Sequence, residues 1–121
     1  SFASEREGYV IEWWSLARML LERYNGLEGW VEKSFKPMLG RRYRGARLLA
    51  SEAGEISGHK AVKLEYSYTR RLRLLQKIPL NITVYVWSCE ETNRILAATF
   101  TVVRGERSSL ELIKGTLSCH G

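Results

Sequence analysis

Period-two alternation marks the extended region of the chain, between "ARLLASEAGEISG" and "RILAATFTVV". In "HKAVKLEYSY", Val62, Leu64, Tyr66 and Tyr68 alternate with Lys63, Glu65 and Ser67. Successive side chains of a strand point to opposite faces, so this pattern describes one buried face and one wet face. "LNITVYVWSC" sets Ile82, Val84 and Val86 against Thr83, Tyr85 and Trp87, and its β-branched and aromatic residues suit a pleated surface. "RILAATFTVV" reads as a further strand, and "ARLLASEAGEISG" as a shorter one closed by a turn at "SGH" (57–59). Strands joined in sequence by short loops form an antiparallel meander. Its apolar face then needs a cover.

Helical stripes are the available covers. Val10, Trp14, Ala17, Leu21 and Tyr24 recur three and four residues apart, which stacks them on one helix face. Trp13 and Leu20 widen that stripe, while Glu12, Arg18, Glu22 and Arg23 fall on its wet side. "NGLEG" (25–29) ends this helix, because Asn and Gly tolerate the left-handed conformation. A second helix is expected over Leu27–Phe35, stopped by Pro37 and Gly40. In "SSLELIKGTLSC", Leu110, Ile113 and Leu117 make a third stripe behind an N-cap at Ser108 or Ser109. A chain of 121 residues has the length of one domain. The expected fold is therefore α+β over 1–121: a four-stranded antiparallel meander packed against N-terminal and C-terminal helices as a two-layer sandwich.

The string "ASEAGEISGHKAVKLEYSYT" resembles the strand, Gly-His-x-Ala, strand segment of the PsbP-like fold, named after a photosystem II subunit and shared with a Ran-binding nuclear transport protein. "VWSCEETNRILAATF" is similar to the hairpin that follows there, and "LELIKGTLSC" to the closing helix. The resemblance implies a helix ahead of an antiparallel sheet, a last helix folded back on it, and a role in binding or assembly. The N-terminal hairpin usual in that fold is missing here or reduced to "SFASEREGYV". The resemblance carries no functional residue over to this chain.

Charge points the same way. Nineteen Lys and Arg against thirteen Asp and Glu give a net charge of +6, which favours encounter with anionic partners such as nucleic acid or acidic lipid. Arginines outnumber lysines, a pattern compatible with a hot-environment origin. Two stretches concentrate the charge. "GRRYRGAR" places Tyr43 among Arg41, Arg42, Arg44 and Arg47, and "TRRLRLLQK" carries Arg70, Arg71 and Arg73 among leucines. Arginines neutralise phosphates and an aromatic ring can stack on an unpaired base, so these eight residues are the candidate surface for an anionic partner, against the alternative of a plain solvated basic face. The second stretch reads as a hairpin arm projecting beyond the sheet. Tyr85 and Trp87 share a strand face that is either core or, left bare, an aromatic binding patch. No apolar run approaches the roughly twenty residues of a membrane span.

Cys89 ends a strand and Cys119 ends the last stripe. They are read as a candidate disulfide, against the alternative of two unrelated buried thiols. Such a bridge would need Cα atoms within about 7 Å. A metal site from Cys89, Cys119, His120 and His59 matches no paired-ligand spacing. A nucleophile from Cys119 and His59 lacks an orienting third group. No phosphate-binding glycine loop, nucleophile elbow or zinc-protease motif is present. No catalytic, metal or cofactor residue is therefore assigned. The expected function is a non-catalytic binding or assembly domain that presents a sheet face or a basic loop to a macromolecular partner. That partner is another protein or, through the arginine-rich loops 40–47 and 69–77, a nucleic acid.

Overall fold

The computed structural model describes residues 2–6, 9–15, 17–71 and 76–103. Six strands form one sheet: β1 (Phe2–Arg6), β2 (Tyr9–Ser15), β3 (Arg47–Ile56), β4 (His59–Arg71), β5 (Lys77–Cys89) and β6 (Arg94–Val103). Their spatial order is β1-β2-β6-β5-β4-β3, with every neighbouring pair antiparallel. The meander β3–β4–β5–β6 matches the alternating segments of the sequence. Its first turn is Ser57-Gly58, both at positive φ (49° and 79°), the geometry that matches strand twist in a two-residue hairpin.

Several expectations need correction. The sheet has more than four strands: β2 to β6 make five, and β1 extends the edge. The first helix does not begin at Val10, since residues 9–15 are strand β2, paired with β6 from Tyr9↔Phe100 to Ser15↔Arg94. In β2, Val10 and Trp14 turn to one sheet face and Tyr9, Ile11 and Trp13 to the other. A strand with apolar residues on both faces loses its alternation, so spacing alone could not identify it. β-branched Val10 and Ile11 beside Trp13 and Trp14 suit a strand on composition. The hairpin β1–β2 occupies the N-terminal stretch that had been read as missing or reduced.

Helix α1 (Ala17–Arg23) follows directly. Asn93, in the β5–β6 turn, caps it: the Ala17 amide donates to the Asn93 carbonyl at 3.1 Å and the Arg18 amide to its Oδ1 at 2.8 Å. These are two of the amides that a helix start leaves unpaired. Asn25 (φ 59°) and Gly26 (φ 109°) end α1 as expected. Then α2 (Leu27–Trp30), a π turn (Val31–Phe35) and α3 (Lys36–Arg42) run on as one helical rod, with Val31 and Lys36 both in the right-handed region. Pro37 therefore does not stop the helix. It sits in the first turn of α3, and just before it the Lys36 amide bonds the Val31 carbonyl, five residues back. The wider turn absorbs a residue that has no amide to give and would crowd the carbonyl four residues behind it.

Both helical runs lie on one sheet face. Leu27, Trp30, Val31, Phe35 and Leu39 pack on Val62, Leu64, Ile82, Val84, Val86 and Ile95. Trp14 joins Trp30 and Phe35 at ring separations of 5.1, 5.7 and 5.6 Å, which ties β2 to the rod. On the opposite face Tyr85, Trp87, Leu96, Ala98 and Phe100 form a second buried cluster with Ile56 and Cys89. No helical residue among those described belongs to it.

A candidate anion-binding cleft

The site begins with strand lengths. β3 starts its pairing at Arg47↔Ser67, and β6 ends its pairing at Leu80↔Val103. β4 and β5 continue past both through Thr69↔Pro79, Arg70↔Ile78 and Arg71↔Lys77. They form a two-stranded arm beyond the sheet, as the sequence suggested. Pro79 stands past the end of β6, where its missing amide leaves no β6 carbonyl unmet. Beside the arm runs the α3–β3 loop. Gly45, at φ 84°, takes a conformation that favours glycine and turns the chain from α3 into β3. Tyr43 closes the joint by meeting Tyr68 edge-to-face at 5.5 Å.

Loop and arm flank an open cleft of about 870 Å³ lined by Arg44, Gly45, Arg47, Ser67, Tyr68, Thr69, Arg70, Arg71 and Lys77. The two arginine-rich stretches, more than twenty residues apart in the chain, thus converge on one space. Five of its lining residues are cations and none is a carboxylate, a histidine or a thiol. Among the described residues no salt bridge engages any of the five. A second groove of about 440 Å³ adjoins the first and shares Tyr68 and Arg70 with it. Val10, Ile78, Leu80 and Val103 make this groove mainly apolar.

The eight candidate residues separate by position. Arg44, Arg47, Arg70 and Arg71 line the cleft. Arg41 is exposed and lines neither space. Arg73 lies outside the described residues. Tyr43 serves the joint. Arg42 is already occupied: its Nη1 and Nη2 donate to Glu12 Oε1 and Oε2 at 2.7 and 2.9 Å. Glu12 is buried at 5 % exposure, although the sequence had placed it on a wet helix face. Its carboxylate, hydrogen-bonded to the Arg42 guanidinium, holds that guanidinium's pKa above its ordinary value. This bidentate pair pins α3 to β2. Tyr68 and Lys77 belong to the cleft and were not singled out from sequence. Tyr68 is two residues before Arg70 on the helix side of β4, and Lys77 is the cross-strand partner of Arg71.

Tyr85 and Trp87 are core, 2 % and 1 % exposed, so they present no aromatic patch to a partner. His59 opens β4 opposite Ile56, half-buried and engaged. Cys89 is wholly buried at the end of β5 and is not a free thiol. Cys119 and His120 lie outside the described residues. Among the described residues no three metal-binding side chains cluster, and no helix is long and apolar enough to cross a membrane.

No family model matches the chain, and no curated protein matches it. Several solved structures share its fold. One is PA94 from Pseudomonas aeruginosa, described as a protein of unknown function and a suggested regulator. It aligns at 17% identity and a TM-score of 0.58, over 97% of this chain and 79% of that one. Another is YER067W, at 12% identity and a TM-score of 0.50, over 82% of this chain and 78% of that one. At such identities the likeness is one of fold: an antiparallel sheet with helices in an α+β arrangement.

Proposed function

We propose that this chain is a non-catalytic binding domain of PsbP-like architecture that holds an anionic macromolecule between the α3–β3 loop and the β4–β5 arm. The observation that carries this reading is the cleft lined by five cations and no carboxylate. Like charges gathered in a concavity raise the local concentration of a polyanion and repel one another until a counter-charge arrives. The absence of histidine, carboxylate and thiol from the described lining supports a binding role over acid–base or nucleophilic chemistry. Arg42 is left out of the binding set because Glu12 already matches its charge. Chromatography on immobilised heparin tests the reading. The wild-type protein is retained, and replacing Arg44, Arg70 and Arg71 together by Ala moves its elution to much lower salt. Arg41→Ala, outside the cleft, leaves elution nearly unchanged. An equal loss from Arg41→Ala would reduce the effect to net charge and remove the cleft from the account.

We also infer that the closing stretch, with Leu110, Ile113 and Leu117, is the C-terminal helix that covers the second sheet face, tethered by a Cys89–Cys119 disulfide. The support is a buried cluster without a helical residue among those described, and a Cys89 that is no free thiol in a chain with two cysteines. Thiol titration of freshly purified, unreduced, denatured protein should find no free thiol. Two free thiols would end the pairing.

A further inference from the structure

The two neighbouring spaces differ in chemistry, and that difference points to a ligand class. The cleft is basic, with four arginines and one lysine. The groove next to it is mainly apolar, walled by Val10, Ile78, Leu80 and Val103 with Tyr43 and Tyr68, and the charge of Arg42, which also lines it, is matched by Glu12. Tyr68 and Arg70 belong to both walls. A ligand that fills both must carry anionic groups and flat or apolar groups side by side, along one chain.

Resting on the cleft reading above, we propose that the ligand is a single strand of nucleic acid. Its phosphates lie along Arg44, Arg47, Arg71 and Lys77, and one unpaired base enters the apolar groove against the two tyrosines. Arginine's planar fork bonds phosphate oxygens in pairs, which lysine cannot do, and arginine predominates here. Arg70, at the junction, reaches the phosphate on the 5′ or 3′ side of the inserted base. A duplex satisfies only half of this arrangement, because its bases are paired and stacked and none is free to leave the helix without cost. An acidic peptide supplies the negative charge but no flat group of matching size at regular spacing. Base-on-aromatic contact tolerates any base, so the preference is for single-strandedness and not for sequence.

Fluorescence anisotropy with a labelled ten-nucleotide oligo(dT), the same length of duplex and a poly-glutamate peptide decides the matter. The single strand should bind at least about tenfold more tightly than the duplex, since stacking one base on an aromatic is worth roughly that factor. The logarithm of its affinity should fall with the logarithm of salt at a slope of about −3, as expected for four to five neutralised phosphates on a single strand. Lys77→Ala and Arg71→Ala should each flatten that slope by about 0.7. Tyr68→Leu should weaken single-strand binding about tenfold and leave the slope unchanged. Because Tyr68 is partly buried, Val103→Glu on the exposed groove rim is the second variant, and it should weaken the single strand and spare heparin retention. Equal affinity for duplex, equal affinity for poly-glutamate, or full single-strand binding by the folded Val103→Glu protein overturns the single-strand assignment. Heparin retention that depends on Arg44, Arg70 and Arg71 would still stand in those cases, whereas loss of both would take the cleft reading down as well.

Discussion

Replacing Arg42 by Ala should cost stability and leave anion binding intact. The Glu12 carboxylate is buried and accepts two hydrogen bonds from one guanidinium. Hydrogen bonds to charged groups contribute about 1.5–3 kcal/mol each, and stranding a buried charge costs about 3–5 kcal/mol. The Arg42 side chain is 35% exposed, so water can reach the vacated carboxylate and recover part of that loss. A net cost of about 2–3 kcal/mol follows. For 121 residues the entropy of unfolding is about 250 cal/mol/K near the midpoint, so the melting temperature should drop by about 8–12 °C. Urea unfolding followed by tryptophan fluorescence measures the cost directly. The pair Glu12→Leu with Arg42→Met completes a double-mutant cycle, with a coupling of about 2 kcal/mol expected between the two sites. If Arg42→Ala changes stability by less than about 0.5 kcal/mol, the ordinary scatter of surface substitutions, the structural role of Arg42 is wrong. A simultaneous loss of heparin retention in the folded variant would return Arg42 to the binding set.

Three further outcomes are expected. Gly40 is exposed in α3 with nothing within 4 Å of an added Cβ, whereas a Cβ on Gly29 would sit 1.8 Å from the Tyr24 carbonyl oxygen; Gly40→Ala should therefore stabilise by about 0.5–1 kcal/mol and Gly29→Ala destabilise by about 2 kcal/mol or more in urea titrations. Phe35, fully buried against Trp14 and Trp30, should cost about 3–5 kcal/mol as Phe35→Ala. Burial raises the Tyr66 phenol above its ordinary value of 10.0, with nearby Glu32 adding to the shift. The folded protein thus holds that proton more tightly than the unfolded chain does. Its contribution is complete below pH 10 and disappears as pH rises through the raised folded value. Tyr66→Phe should flatten the alkaline fall in urea midpoint, and an unchanged fall would contradict the shift.

The meander was legible because β3 to β6 combine alternation with turn residues at their ends. Ser57-Gly58 and Asn93 adopt the positive φ that such turns require. β2 was illegible for a related reason. Val10, Trp14, Ala17, Leu21 and Tyr24 fit helical spacing, yet the first two lie on a strand and the rest on or just after α1. Spacing counts cannot see a boundary between elements when both bury apolar residues on the same side. Glu12 was misplaced because its partner lies thirty residues away, and only the seating of α3 on β2 brings Arg42 to it. The arginines were found as strings. Their convergence depends on the register Arg47↔Ser67, which ties the start of β3 to the root of the arm.

The π turn at Val31–Phe35 sets the rotational phase of everything after it. Each residue advances an α-helix by about 100°. Winding the same five residues as a regular α-helix would swing Leu39 and Arg42 roughly a quarter-turn around the axis relative to Trp30. Leu39 would leave the sheet and the guanidinium would no longer meet Glu12. The chain between Trp30 and Arg42 thus holds one residue more than a regular helix of the same phase would, so a one-residue deletion within the wide turn should be tolerated better than the same deletion in α3.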